Sequence, residues 1–581
     1  MKPNRKRSTL LRLCRYLMQF KWWLLLALAL TVGSNLFVLM GPELSGKAID
    51  AMELGAGRVD FAAVRHYALL MALFYVASGV MTYALNVLMI AVSRKVTAQM
   101  RRDIFHRLAD MPVSYFDSHA TGDMISRISY DTDTINASLS TDLVQIFASV
   151  ITIVGSFWKM LEIKAALVPV FLLTVPLSVL ITRFITKRTH PLFRLRSRKL
   201  GELNGLVEEM ISGQKTLKAY HQEENTLAEM DLYNGEAVEA YYQAEYHTAG
   251  MGPSVNFINN LSLTLISVFG AMIYMAGGMT VGNISSFVLY SRKFSGPIHE
   301  IADIFNELQS SVAAAERVFH IIDEPLEPAD APQAQTLSGV QGSVALEHIT
   351  FGYEPGKPIL QDFSLQAQPG KLIAIVGPTG AGKTTLINLL MRFYDADSGT
   401  IRVDGTDVMR VTRSSLRLAY SMVLQDTWLF YGTIYDNIAY GRPSATREEV
   451  IAAAKAAHIH SFITHLPQGY DTLLTDDAAN ISKGQKQLLT IARAMLMETP
   501  MLILDEATSN VDTRTEVLVQ QAMRALMQNK TCFVVAHRLS TIRNADCILV
   551  VRDGAIVESG VHRELMEKKG FYWELYQAQF A

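Results

Sequence analysis

Long runs of apolar residues alternate with polar, helix-favouring stretches over the first half of the chain. A helix needs about 20 mainly apolar residues to cross the hydrocarbon core of a bilayer. The pattern therefore predicts six membrane-spanning helices. They lie at about 22–40, 67–93, 143–160, 165–186, 254–277 and 281–300.

Two polar segments between these runs, 94–142 and 186–250, are unusually long and contain few helix breakers. Loops of this length without secondary structure of their own are uncommon. We therefore expect spans two to five to continue as helices well beyond the membrane. Each segment would fold back at a tip, near 115–126 in the first and near 214–224 in the second. Ordinary cytoplasmic loops are the alternative.

Lys and Arg crowd three places: the N-terminal segment, the stretch after the second run and the stretch after the fourth. Basic flanks of spans tend to stay in the cytoplasm. This predicts that both chain ends are cytoplasmic, as an even number of spans requires. A cleaved signal peptide also begins with basic residues, but the first apolar run is too long and others follow. We expect a multi-pass protein of a bacterial cell membrane.

Overall composition supports a membrane protein and gives no sign of nucleic-acid binding. Half of the 581 residues are hydrophobic, and the formal net charge is only −2. A nucleic-acid-binding protein would carry a basic patch or stripe. The three cysteines, Cys14, Cys532 and Cys547, show no metal-ligand spacing. They are interpreted as reduced, small apolar side chains.

Polar side chains are sparse inside the predicted spans. They could line a substrate pathway, since polar groups in membranes are often functional. Hydrogen bonding between helices is the favoured interpretation, because it is common and modest in energy. The residues concerned are Asn35, Asn86, Asn259 and Asn260. No predicted span carries a row of charges, so a proton relay or ion filter finds no support.

A glycine-rich stretch follows directly on the apolar run 372–376, which predicts a buried parallel strand. A helix-favouring stretch comes next, giving the strand–loop–helix context of a phosphate-binding loop. The loop residues are Gly377, Pro378, Thr379, Gly380, Ala381, Gly382, Lys383, Thr384 and Thr385. Backbone N–H groups and the helix N-terminus favour phosphate there. Lys383 is predicted to reach the β/γ-phosphates and the Thr384 hydroxyl to hold Mg²⁺, so ATP and Mg²⁺ are expected.

A second apolar run, 501–504, ends in two adjacent carboxylates, Asp505 and Glu506. A carboxylate at the end of such a strand supports the magnesium ion of a nucleotide site. Glu506, one residue further on, is predicted to act as a general base that polarises an attacking water. A solvated acidic pair would be the simpler interpretation if no phosphate loop preceded it.

Between these motifs, the stretch 480–487 reads Asn-Ile-Ser-Lys-Gly-Gln-Lys-Gln. It resembles the signature motif of ABC transporter ATPases. Other positions match the family set in order and spacing. They are Tyr353 for the aromatic residue that stacks on adenine, Gln425 for the glutamine between the ATPase core and the helical subdomain, Ser509–Asp512 for the loop that crosses the dimer interface, and His537 for the switch histidine.

The resemblance extends over the whole chain and is to the exporter type with fused membrane and ATPase domains, a half-transporter similar to multidrug and lipid exporters. It implies an α-helical six-span transmembrane domain followed by an α/β P-loop ATPase domain with a helical subdomain. The expected limits are 1–310, a linker at 311–340, and 341–581. Asp117–Arg127 also looks like the first coupling region of that family.

The family resemblance implies that one chain cannot complete an ATP site. The phosphate loop, Glu506 and His537 of one subunit would face Ser482, Gly484 and Gln485 of the other, with Gln425 joining the nucleotide and Mg²⁺. ATP would then favour the closed dimer. Closure would move the helical tips, which are expected to dock on the ATPase domains near Gln425. The long helices would tilt, and the cavity would switch from inward- to outward-facing.

Two features depart from the family pattern. Lys483 stands at the third position of the signature, and the stretch 475–479 lacks the expected acidic residue followed by glycine. Neutral drift would explain both. They also fit a heterodimer, in which the altered signature faces a weaker site on the partner. A heterodimer is therefore the favoured hypothesis, with a homodimer as the alternative.

The sequence does not identify the substrate. An apolar cavity would suit a drug, a lipid or a peptide about equally. An ATP-gated channel or a regulatory membrane ATPase on the same scaffold is the main alternative function. The six predicted spans argue against a soluble role such as DNA repair, and the fused domain order favours export over import.

Overall fold

The computed structural model describes residues 3–52, 59–425, 427–475, 480–505, 512–535 and 542–580. The chain forms two compact units. The helical unit comprises Met1–Ala109 and Thr121–Glu324, and the α/β unit comprises Asp110–Ala120 and Pro325–Ala581. A short piece from the first half of the chain therefore belongs to the unit formed by the second half.

Apolar runs and their polar continuations form long helices, as the scarcity of helix breakers predicts. The helices before residue 324 are α1 (Pro3–Met18), α2 (Lys21–Asp50), α3 (Phe61–Ala109), α4 (Val113–Ser118), α5 (Thr121–Ser126), α6 (Thr132–Ala137), α7 (Leu143–Lys164), α8 (Val168–Ser212), α9 (Gln214–Ala219), α10 (Glu223–Ala249), α11 (Met251–Met275) and α12 (Val281–Asp323). The predicted helical extensions and both tips are confirmed, because α3, α8 and α10 run far beyond the apolar segments.

Two π-helical turns, Arg127–Asp131 and Ser138–Asp142, interrupt the helical stretch that leads into α7. Such turns are rare and occur often at functional sites. The first turn contacts α12, where the Arg317 guanidinium donates through Nε to the buried Asp131 carboxylate at 2.8 Å. This ion pair fixes the bulged turn against α12.

The outer ends of α2 and α12 are held together by close backbone contact. A Cβ atom on Gly282 would lie 2.1 Å from the Gly46 carbonyl oxygen, so a larger residue would push the helices apart. Asp50 accepts from the Gly282 N–H at 2.7 Å and from the Thr280 hydroxyl at 2.8 Å. Further in, the Tyr290 hydroxyl donates to the Leu39 carbonyl at 2.6 Å. These contacts set the register of α12 against α2.

Four of the described helical stretches are long and apolar enough to cross a membrane: Lys21–Asp50, Phe61–Ala109, Thr121–Phe171 and Glu223–Met275. The predicted span 165–186 begins in a 3-10 turn, Ala165–Leu167, and continues in α8, while 281–300 lies within α12; neither α8 nor α12 is among these four. Arg292 and Lys293 lie inside the second of them and reduce its apolar character. The number of six spans therefore stays a prediction.

Strands and shorter helices alternate in the α/β unit. The strands are β1 (Val344–Phe351), β2 (Leu360–Ala367), β3 (Leu372–Val376), β4 (Ser398–Val403), β5 (Thr406–Asp407), β6 (Tyr420–Val423), β7 (Gly432–Thr433), β8 (Leu473–Leu474), β9 (Met501–Asp505), β10 (Thr531–Val535), β11 (Cys547–Arg552) and β12 (Ala555–Gly560). The described strands form a central sheet in the order β12-β11-β3-β10-β9-β6, a second sheet in the order β2-β1-β4-β5, and the pair β7-β8.

Helices cover the central sheet. They are α13 (Lys383–Leu390), α14 (Arg413–Leu418), α15 (Ile434–Ala439), α16 (Arg447–Ala456), α17 (His460–His465), α18 (Lys483–Leu496), α19 (Thr513–Met527), α20 (His562–Lys568) and α21 (Phe571–Phe580). Side chains alternate across each strand, so Ala374 and Val376 pack in the core with α15–α19, while Ile373 and Ile375 pack in the core with β1 and β2.

An arginine at the start of α14 ties the segment after α12 to the α/β unit. Arg413 is buried, and its guanidinium donates to the Pro328 carbonyl at 2.6 Å and to Asp395 at 3.1 Å. Its backbone N–H donates to the Asp330 carboxylate at 3.2 Å. The predicted limits 1–310, 311–340 and 341–581 stay a proposal, and α12 continues through the first part of the proposed linker to Asp323.

Candidate functional site

The candidate site lies at one edge of the central sheet. β3 and β9 both run parallel to β10, where Val535 pairs with Ile375 on one side and with Asp505 on the other. β6 runs parallel to β9. Ligands of open α/β sheets bind beyond the carboxyl ends of the strands. The topology therefore places the phosphate loop, Asp505 and Gln425 at the same edge.

Close packing leaves no room for a side chain at two glycines of the loop after β3, Gly377 and Gly382. A Cβ atom on Gly377 would lie 2.2 Å from the Val551 carbonyl oxygen, and one on Gly382 would lie 2.7 Å from Leu360 Cδ2. Gly380 and Gly382 also have positive φ angles of 84° and 98°, which glycine adopts without strain. The loop thus keeps its backbone N–H groups at the start of α13, where the helix dipole favours an anion.

Lys383, the first residue of α13, folds back over the loop. Its ammonium group is half-buried and donates to the carbonyl oxygens of Gly377 and Pro378, each at 2.8 Å. Burial lowers the pKa of Lys383, and the negative charge of Asp505 acts in the opposite direction. A cation is therefore held against the loop, within the electrostatic influence of a carboxylate.

The two threonines after Lys383 face different surroundings. Thr384 is exposed, whereas Thr385 is buried and accepts from the Tyr353 hydroxyl at 3.3 Å. Of these two, Thr384 is the one that can offer its hydroxyl to a ligand in the loop. A glycine cradle, a lysine and an exposed hydroxyl beside Asp505 fit a polyphosphate with its Mg²⁺.

Tyr353 lies beside this loop and is 43% exposed. Its hydroxyl accepts from Asn388 Nδ2 at 3.0 Å, and its ring packs edge-to-face with Phe351 and Tyr394 at centroid distances of 5.2 and 5.0 Å. These contacts fix the ring on one side and leave surface open on the other. The geometry is suited to stacking on a flat base.

Gln425 is exposed and lies two residues beyond β6, which ends at Val423. Asp505 is half-buried at the end of β9. The predicted general base Glu506 and the predicted switch residue His537 lie outside the described residues, as does most of the predicted interface loop 509–512. Their roles stay predictions.

The signature stretch forms the N-terminal cap of α18. The Ser482 hydroxyl oxygen accepts from the Gln485 backbone N–H at 3.3 Å, and the Gln485 side-chain oxygen accepts from the Ser482 N–H at 2.8 Å. This capping box uses the oxygen of Ser482 and leaves its proton able to donate to another group. Gln485 therefore has a clear structural task, in addition to the predicted contact with nucleotide.

Lys483 is exposed at the first position of α18, and Gly484 behind it is buried. Among the described residues, no hydrogen bond or ion pair joins Ser482, Gly484 or Gln485 to the phosphate loop. The structure thus brings together the loop, Tyr353, Asp505 and the end of β6. The signature residues are not joined to this group by any of these described contacts.

One contact beside the site was missed by sequence reasoning. The Tyr394 hydroxyl donates to Asp117 in α4 at 2.6 Å, and both residues belong to the α/β unit. Burial and the Asp117 carboxylate raise the pKa of Tyr394. Asp117 lies in the predicted coupling region, but nothing in the sequence pairs it with a tyrosine so distant along the chain. The ring of Tyr394 thus connects Asp117, a residue of the predicted tip, with Tyr353.

Comparison with known proteins identifies the family. Residues 24–298 match the model of the ABC transporter transmembrane region, and residues 360–509 match the ABC transporter model. The chain is 45% identical over 521 residues to the "Fatty acid ABC transporter ATP-binding/permease protein" of Mycobacterium bovis, covering 90% of this chain and 82% of that protein. The chain belongs to the ABC transporter family.

Other comparisons extend this result over the full length of the transporter. The chain is 41% identical over 579 residues to the "Uncharacterized ABC transporter ATP-binding protein YfiC" of Bacillus subtilis. This alignment covers 100% of this chain and 95% of that protein. A solved structure titled "Structure of a bacterial Atm1-family ABC exporter with ATP bound" matches with a TM-score of 0.75 and 31% identity. It covers 100% of this chain and 99% of that chain.

These findings confirm several predictions. The transporter has a helical transmembrane domain followed by an ATPase domain, and it is an ATP-driven exporter that acts as a translocase ATPase. Bacterial relatives place it in a cell membrane with the ATPase domain in the cytoplasm. The matches do not show a heterodimer.

The Asp117–Tyr394 contact leads to a first prediction. Replacing Tyr394 by Phe should lower substrate-stimulated ATP hydrolysis by roughly tenfold, because a hydrogen bond to a charged group contributes about 1.5–3 kcal/mol. ATP binding should remain close to wild type, since the ring beside Tyr353 is kept. Hydrolysis rates with and without substrate provide the measurement. Tyr431→Phe, at an exposed position, is the matched control. An unchanged stimulated rate in Tyr394→Phe would show that the contact carries no coupling.

Proposed function

We propose that the transporter exports an amphipathic, lipid-like molecule by alternating access, as one half of a dimer. The observation that carries the proposal is the separation of two complementary half-sites. The phosphate loop, over which Lys383 folds, would hold a triphosphate, while the capped Ser482 on α18 would present its hydroxyl proton to a second nucleotide. A second subunit would supply the missing half of each site.

Within one subunit, Lys383 would move from the carbonyl groups of its own loop to the β/γ-phosphate oxygens. The Thr384 hydroxyl, Asp505 and Gln425 would hold Mg²⁺, which neutralises phosphate charge when bound. Tyr353 would stack on the adenine ring. Glu506 would accept a proton from the attacking water, and His537 would stabilise the γ-phosphate.

The partner subunit would supply the second set of donors. The Ser482 hydroxyl, the Gly484 N–H and the N-terminus of α18 would all face the γ-phosphate. The exposed Lys483 ammonium adds a positive charge at the same end of the helix. Bound ATP would then stabilise the closed arrangement, and loss of the bridging phosphate would release it.

Closure of the dimer must be transmitted to the membrane helices through the helical tips. Asp117 in α4 already contacts Tyr394 beside the proposed adenine site. A change at the nucleotide would therefore alter the surface on which α4 packs. We expect the long helices to respond by tilting as rigid bundles.

The altered signature still favours a heterodimer over a homodimer as the assembled form. In that arrangement Lys483 would face a weaker site on a different chain. The chain purified alone should then show low, non-cooperative ATP hydrolysis, and co-expression with the right partner should raise it. Full transport by the chain alone would support the homodimer instead.

Lipid-like substrates are favoured by the long apolar spans and by the Mycobacterium bovis relative, whose name specifies fatty acids. The test is movement of labelled amphiphiles against a gradient in vesicles that contain the purified transporter. Replacing Lys383 by Ala should abolish movement and weaken ATP binding by about 10- to 100-fold, because charge-assisted hydrogen bonds are lost. Thr379→Ala, in the same loop, is a milder comparison. Downhill movement alone would indicate the alternative function, an ATP-gated channel.

A further inference from the structure

Two adjacent cations, Arg292 and Lys293, lie on α12 within the predicted span 281–300. Arg292 is about 16 Å along the helix axis from Val281, at the usual rise of about 1.5 Å per residue. The hydrocarbon core of a bilayer is about 30 Å thick, so a span that starts at Val281 places Arg292 near the middle of the core. The register with α2 agrees, since Tyr290 donates to Leu39 within the apolar part of that helix.

Arg292 points away from the helices that pack on α12. Phe287, Tyr290 and Ser291 are buried against them, and Phe294 contacts the ring of Phe171 at a centroid distance of 5.8 Å. Residues with this spacing share one face of a helix. Arg292 lies on the opposite face and is exposed.

Lys293 lies at the edge of the packed face and is half-buried. Gly296, one turn beyond Arg292 on the same side, has no atom within 4 Å of the position that a Cβ would occupy. The helix surface beside Arg292 is therefore open. This leaves room for a bound group next to the guanidinium.

No hydrogen bond or ion pair within the described part of the chain involves Arg292 or Lys293. The next acidic residue along α12 is Glu300, about 12 Å further along the axis. It accepts from Gln145 at 3.4 Å. Two cations for which the described residues offer no partner would be strongly unfavourable against lipid tails. Their face must therefore line a cavity or meet a ligand that carries negative charge.

We propose that Arg292 and Lys293 form the headgroup site of the transported molecule, and that this molecule is a single-chain amphiphile with a carboxylate headgroup. The proposal rests on the proposed export function and adds the class of substrate. A guanidinium matches a carboxylate through two parallel hydrogen bonds. The lysine ammonium adds a second charge, and the apolar residues of the spans suit an acyl chain.

The sequence contains the signal for this site. Arg292 and Lys293 are adjacent within the predicted span 281–300. A cation pair within a predicted span indicates function more strongly than the four asparagines do. Among those, Asn35 accepts from the Thr152 hydroxyl at 3.1 Å, which supports the interhelical interpretation at that position.

Binding of oleate to the full-length transporter in detergent, without nucleotide, tests the headgroup site directly. Oleyl alcohol, which has the same chain without the charge, is the comparison. The wild type should bind oleate at least tenfold more tightly than oleyl alcohol. The double variant Arg292→Gln/Lys293→Gln should lose that preference, while Arg292→Lys should keep part of it. Arg198→Gln, on the cytoplasmic extension of α8, is the matched control.

The outcomes separate the two proposals. Equal binding of oleate and oleyl alcohol by the wild type, or an unchanged preference in the double variant, would overturn the headgroup site. Tight binding of oleyl phosphate without binding of oleate would overturn the carboxylate assignment. Binding of oleate as expected, with no ATP-dependent movement of any amphiphile in vesicles, would leave the site in place and contradict the export function.

Discussion

Replacing Glu506 by Gln is expected to lower ATP hydrolysis by about 10²- to 10⁴-fold, which is the usual contribution of a general base. β9 ends at Asp505, and Glu506, the next residue in the sequence, keeps the role that the sequence predicts for it. A glutamine has nearly the same shape but cannot accept the proton of the attacking water. ATP binding should persist, and the closed dimer should accumulate.

Two measurements check this result: the hydrolysis rate and the fraction of transporter that retains ATP after rapid washing. Glu498→Gln, at an exposed position, is the matched control and should hydrolyse ATP at the wild-type rate. Wild-type turnover in Glu506→Gln would remove Glu506 from the role of base. Loss of ATP binding in this variant would instead indicate a structural defect in the loop.

Replacing Arg413 by Gln should destabilise the ATPase domain by about 3 kcal/mol, since breaking a buried ion pair leaves uncompensated charge. The guanidinium donates to Pro328 and Asp395, and its ion pair with Glu327 spans 3.7 Å. Glutamine cannot reach all of these groups. Arg417 and Arg392 would keep part of the carboxylate charge paired, which moderates the loss.

A loss of this size corresponds to a fall of roughly 6–12 °C in the thermal midpoint of a domain of this length. Thermal unfolding of the detergent-purified transporter, followed by intrinsic fluorescence, would detect it. Arg410→Gln removes an exposed arginine from the turn before α14 and should change the midpoint little. Equal midpoints for the two variants would show that the anchor at Arg413 does not stabilise the domain.

Local sequence patterns predicted most of the fold. Apolar runs predicted the long helices, and the buried run 372–376 predicted the central strand β3 with its loop. Both helical tips were predictable because the polar segments contained so few helix breakers. Such features depend on neighbours along the chain, where helix and strand preferences act.

Contacts between distant parts of the chain were not predictable. Tyr394 and Asp117 lie 277 residues apart, and the sequence contains many tyrosines and aspartates that could have paired. The same limit applies to the close contact of Gly46 with Gly282 and to the anchor at Arg413. The two π-helical turns also left no pattern, because one extra residue in a turn does not alter composition. Motif residues such as Lys383 and Ser482 were found because their spacing is local.

Asp110–Ala120 comes from the first half of the chain but folds with the residues that follow Pro325. A polypeptide that starts at Pro325 would leave the Tyr394 hydroxyl without its carboxylate acceptor and expose the surface that α4 covers. Exchange of the ATPase domain between relatives would likewise pair α4 from one protein with a packing surface from another. Chimeras that transfer 110–120 together with 325–581 should keep their activity better than those joined at a single point in the sequence.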